Sequence, residues 1–96
     1  MSKDKSVLME AEELIHGARQ KTYGHPYEFF SLLAKLWSGL FGVQISPELA
    51  VLGMMIVKIA RLRISPEHRD SLVDVAGYAG ADELVLQKKK ELEENK

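Results

Sequence analysis

Along the chain, apolar residues recur at steps of three and four in four successive blocks. In the first, about residues 5–20, Val7, Leu8, Ala11, Leu14, Ile15 and Ala18 form a stripe of helical period. Glu10, Glu12, Glu13, Arg19 and Gln20 occupy the other side, and Glu10 and Glu13 read as a solvated face. The second block, 26–41, carries a wide apolar face of Phe29, Phe30, Leu33, Leu36, Trp37 and Leu40, and its aromatic rings make it the anchor of the core. The third, 47–63, is apolar nearly all the way round from Leu49 to Leu62. A helix of that kind is covered on every side. Three neighbours in so short a chain hardly suffice, so the pattern predicts a second subunit over part of it. The fourth block, 66–90, places Leu72, Val75, Ala76 and Ala79 inward and runs into a charged tail over 87–96. No strand alternation and no repeat is present.

The breaks between blocks have recognisable chemistry. "SPE" occurs twice, at Ser46–Glu48 and Ser65–Glu67, and each copy reads as N-cap, first-turn proline and a carboxylate at the positive end of the helix dipole. Gly42 closes the second block. "KTYGHPYEFF", Lys21 to Phe30, separates the first two: Gly24 suits a helix C-terminus and Pro26 a helix start. The reading is all-α, one domain of four helices over 1–96.

Composition narrows the class. The chain has 96 residues and no cysteine, so no disulfide framework or thiolate metal site is available, in keeping with a reducing cytoplasm. Thirteen basic and 14 acidic residues give a net charge of −1, and nothing suggests a general attraction to nucleic acid. The start, "MSKDKSVLMEAEE", is polar where a signal peptide would be apolar, and the longest apolar run, Leu49 to Val57, is too short to span a bilayer.

Two polar groups interrupt otherwise apolar faces. Lys58 and Arg61 stand three apart on the third helix, and Asp70 and Asp74 four apart on the fourth. Like charges at that spacing repel, so a cation should offset the two carboxylates. Three readings follow. Lys58 and Arg61 pair with Asp70 and Asp74 as an interhelical network. Alternatively, a divalent cation such as Mg²⁺ sits on the aspartates, for which two carboxylates are a minimal set. Or Lys58, Arg61 and Arg69 hold a phosphate or nucleotide. Tyr78 lies one turn past Asp74, with Gly77, Gly80 and Ala81 allowing close approach to that helix. His16 reads as a surface residue, and His25 and His68 lack the companions of a zinc site. No nucleophile elbow or phosphate loop is present, and no catalytic residue is assigned.

The runs "RQKTYGHPYEFF", "LWSGLFGVQISPE", "MIVKIARL" and "HRDSLVDVAGYA" resemble a family of small, mostly phage- and prophage-encoded all-α proteins. The likeness covers about Arg19 to Ala81. That family is in turn similar, more distantly, to the MazG-like nucleotide pyrophosphohydrolases. These enzymes hold Mg²⁺ with two acidic motifs on successive helices, and water attacks a bound nucleoside triphosphate. The resemblance implies a MazG-like bundle; the subunit that the third block calls for would make it a dimer or a tetramer. The resemblance also implies Asp70 and Asp74 as the second acidic motif, Lys58 and Arg61 on phosphates, and Tyr23 or Tyr78 stacked on a base. Where the first acidic motif belongs, this chain has Lys58 and Arg61, which removes half of the metal cage and adds phosphate-binding charge. A non-catalytic module that binds a nucleotide or a host protein is therefore the alternative to the enzyme. Where the family pattern has Asn-Phe, the chain has Phe29-Phe30. The connector is expected to form one wall of the site, with the Tyr23 hydroxyl or His25 bonded to the polar cluster around Arg69, Asp70 and Asp74.

Overall fold

The computed structural model describes residues 5–17, 20, 21 and 24–95, and four helices are defined among them. These are α1 (Val7–His16), α2 (Pro26–Phe41), α3 (Pro47–Ile64) and α4 (Arg69–Glu94). No strand occurs among the described residues.

Each helix start is chemically capped. Met9 N–H donates to Ser6 Oγ at 3.1 Å, and Leu49 N–H to Ser46 Oγ at 3.2 Å. Both α2 and α4 use a histidine instead. Tyr27 N–H donates to His25 Nδ1 at 3.0 Å, and Ser71 N–H to His68 Nδ1 at 3.3 Å. The second "SPE" is therefore not a helix start. Ser65 to His68 form a turn closed by His68 N–H on the Ser65 carbonyl at 3.0 Å, and α4 begins three residues later than the cap pattern predicts. Gly42, at φ 72°, ends α2 in the left-handed region, its N–H on the Ser38 carbonyl at 2.9 Å.

The helices are not equal partners. Each of α1, α2 and α3 packs on α4; α2 also packs on α3, whereas α1 rests on α4 alone. The core is Phe30 and Ala34 of α2, Ala50 and Val51 of α3, and Ala81 and Val85 of α4, with Leu33, Trp37, Met54 and Tyr78 packed against it. Phe30 meets Tyr78 edge to face, centroids 6.2 Å apart. Trp37 lies over Gly53, where a Cβ would come within 2.7 Å of the indole ring.

The inward face of α4 differs from the sequence reading. Leu72 is 41% exposed and Ala79 is exposed, whereas Ser71, Val73, Ala81 and Val85 are buried. The inner row is Ser71, Asp74, Tyr78, Ala81 and Val85, at steps of three and four, and its polar members hide it from a hydropathy pattern. On α2, Leu36 and Leu40 face outward, while Phe30 and Ala34 fill the interior.

Phe30 is the largest side chain of this core at 5% exposure. Phe30→Ala should cost about 3–5 kcal/mol, a large part of the stability of so small a domain. Urea unfolding followed by circular dichroism checks this; a loss below 1 kcal/mol, by the same cavity scale, would move the core elsewhere.

A candidate ligand cleft beside the Lys58–Asp74 pair

The way the helices rest on α4 leaves space between α1 and α2. A cleft of about 510 Å³ opens there. Leu14, Ile15 and Gln20 line one side, and Gly24, Pro26, Phe29, Phe30 and Leu33 the other; Met54 and the α4 residues Val73, Asp74, Gly77, Tyr78 and Ala81 complete it. Its walls are mostly apolar and aromatic. Small-molecule sites have this character and fall between about 300 and 1,000 Å³.

Asp74 brings a carboxylate to this lining, and that carboxylate is already engaged. Lys58 Nζ lies 3.1 Å from Asp74 Oδ2, and the two side chains are 19% and 26% exposed. This is the interhelical pair that the spacing allowed, joining α3 to α4. The remaining polar residues do not join it. Arg61 and Asp70 are exposed and form no ion pair with a described residue. Arg69 turns to α1, where it bonds Glu10 and donates to the Lys5 carbonyl at 2.9 Å. That contact corrects the reading of Glu10 as solvated: it is the half-buried acceptor that fastens α1 to the start of α4. Glu13, paired with Lys5, is exposed, as a solvated face requires. No cluster of three or more His, Cys, Asp or Glu residues able to hold a metal occurs among the described residues.

The connector forms part of the cleft wall through Gly24 and Pro26. His25, between them, is not part of that lining, and in place of the expected bond to the polar cluster its Nδ1 caps α2 by accepting from Tyr27 N–H. Tyr23 lies outside the described residues. Tyr78 is in the lining and packs on Phe30. His16 is exposed beside Glu12, as a surface residue should be.

Sequence reasoning passed over a second polar cluster. Lys89 Nζ donates to Glu48 Oε2 at 2.7 Å and, as the main cause, holds the Glu48 carboxyl below its usual range. Asp82 is pushed the other way, first by burial and then by the charge of Glu48. Glu48 Oε1 and Asp82 Oδ1 are buried with no hydrogen-bond partner. The available signal was position: Asp82 lies one turn past Tyr78, on the inner side of α4.

These features define an all-α four-helix protein with an apolar cleft flanked by a half-buried ion pair. The chain belongs to the family described as Domain of unknown function (DUF6378), whose model matches residues 6–85. It is similar to the Gene 55 protein of Mycobacterium phage D29, at 46% identity over 82 residues, which is 85% of this chain and 54% of that protein. To the Gene 55 protein of Mycobacterium phage L5 it is 42% identical over 76 residues, 78% of this chain and 49% of that protein. The chain thus spans about half the length of these curated relatives. No solved structure matches. Among the described residues, no helix is long and apolar enough to cross a membrane.

The Asp82 environment makes a pH-dependent prediction. Its raised pKa means that the folded state holds this proton more tightly than the unfolded chain does. The fold is therefore penalised once pH exceeds the folded pKa, and relieved as pH falls below the ordinary aspartate value. Asp82→Asn should raise the melting temperature at pH 7 by roughly 2–5 °C. The gain should close toward pH 3, where aspartate is protonated in both states. Paired thermal melts at the two pH values check it; equal melting temperatures at pH 7 would remove the strain assigned to Asp82.

Proposed function

We propose that this chain is a phage-type, non-catalytic nucleotide-binding module on a MazG-like bundle, with its ligand in the cleft between α1 and α2. The observation that carries this reading is the cleft itself. Its volume of about 510 Å³ suits a nucleotide, and Tyr78, Phe29 and Phe30 offer ring surface to a base. Charge for the phosphates comes from α3. Lys58 is half-buried beside Asp74, and Arg61, one turn on, is exposed with no ion pair to a described residue. A guanidinium in that state suits a phosphate, which it can grip with two parallel hydrogen bonds. Such a role suits a cytoplasmic protein.

Nucleoside triphosphate pyrophosphohydrolysis with Mg²⁺ is the second reading. The Asp70–Asp74 spacing favours it, together with the resemblance to MazG-like enzymes. Its donor set is thin. Asp74 is tied to Lys58, Asp70 faces solvent, and among the described residues no third carboxylate joins them to make a metal cluster. Mg²⁺ requires several oxygen ligands, so the protein would supply two and the substrate and water the rest.

Thermal shift against a panel of nucleoside mono-, di- and triphosphates, with and without Mg²⁺, tests the binding role. A ligand at 100 times its Kd should stabilise the protein by about 2.7 kcal/mol, and Tyr78→Ala should abolish the shift. If no nucleotide moves the melting point, the binding reading fails. Release of pyrophosphate in Mg²⁺, lost in Asp74→Ala, would establish the enzyme in its place.

A further inference from the structure

Helix α3 turns a continuous apolar row away from the core. Leu49, Leu52, Ile56 and Ile59 recur at steps of three, four and three, and are between 43% and 64% exposed. A 3–4–3 row is the seam along which two helices pack knobs into holes. Beside α3, the packed helix α2 carries a second outward row of Leu32, Leu36 and Leu40, between 56% and 74% exposed. Single exposed leucines are ordinary, but ordered rows are not. All seven side chains are between 43% and 74% exposed, and ordered apolar surface of this kind marks an interaction site.

We propose that this chain forms a two-fold homodimer in which α3 pairs antiparallel with α3 of a second copy, the α2 rows closing over its flanks. A second copy is the occupant the pattern fits best. The row is apolar along its whole length and is nearly palindromic in spacing, so it complements itself when reversed about Met54. Reversal sets Leu49 against Ile59 of the partner subunit, and Leu52 against Ile56 of the partner subunit. Charge selects this direction over the parallel one. From Leu49 to Val57 the helix has no charge, while Lys58, Arg61 and Arg63 crowd its C-terminal end. Parallel pairing would bring two such cationic ends together; antiparallel pairing sets each against the Ser46–Glu48 end of the other copy. The inference is independent of any ligand in the cleft.

Sedimentation velocity of the full 96-residue chain over about 1–200 µM should show a dimer. Ile56→Lys should raise the dimer Kd about 100-fold or more while leaving the helical circular dichroism intact. Leu8→Lys, on α1 and 72% exposed, should leave the dimer unchanged. A monomer over the whole range overturns the proposal, and so does equal weakening by both substitutions. A second experiment does not depend on the stability of a lysine variant. The chain has no cysteine, so Leu49→Cys and Ile59→Cys proteins can be mixed and oxidised without background. Mixed disulfides between the two variants are expected. Disulfides formed only within each variant would show parallel pairing or chance collision, and would overturn the antiparallel assignment.

Discussion

The close approach of α1 to α4 sets the shape of this protein. Ile15 lies over Gly80, where any Cβ would collide with its Cδ1. Among the described residues α1 packs on no other helix, so its place is set by its seat on α4, through Ile15 over Gly80 and through the Arg69–Glu10 pair. Helix α2 sits on a different part of α4, through Phe30 and Tyr78, and also leans on α3. Among the described residues the backbones of α1 and α2 do not approach each other, and the cleft is the gap between them. Glycine in mid-helix costs about 1 kcal/mol of helix propensity. Here it allows a helix to lie close enough for Ile15 to be buried.

Polar contacts fasten the same floor at three levels. Arg69 holds α1 through Glu10 and the Lys5 carbonyl; Asp74 holds α3 through Lys58; Lys89 holds the start of α3 through Glu48. Each pair is at least partly shielded from water, where loss of one partner leaves a charge that water only partly compensates. This arrangement bears on chemistry as well as on fold. Occupied by Lys58, Asp74 reaches the cleft as half of an ion pair. Arg61, one turn on from Lys58, is exposed and makes no ion pair with a described residue.

Much of this was legible in the sequence. The four helices, the capping by Ser46, and the break at Gly24 and Pro26 follow from periodicity and spacing, whereas the pairing of Lys58 with Asp74 was one of three readings that the spacing left open. Local chemistry determines the helices, the cap and the break, and local chemistry is what a sequence displays. The inward face of α4 was not legible, because its inner row contains Ser71, Asp74 and Tyr78, while Leu72 points outward. Burial there is set by which neighbours arrive, not by hydropathy. His68 took the cap that Ser65 seemed to offer, because the Ser65–His68 turn delays the helix by three residues. Arg69 was read as phosphate-binding; its pairing with Glu10 spans 59 positions of sequence, and no pattern of short spacing reports that. The cleft was the least legible feature, being a space between elements and not a property of any one of them.

The central claim is that the gap above α4 receives a ligand without a metal in the site. Amide chemical-shift mapping of the labelled protein with a nucleoside triphosphate, in excess EDTA, tests it most directly. The account predicts perturbations at Gly24, Gly77 and Tyr78, extending to Arg61, and unaltered when Mg²⁺ replaces EDTA. Perturbations that appear only with Mg²⁺ and centre on Asp70 and Asp74, or none at the cleft in either condition, would contradict it.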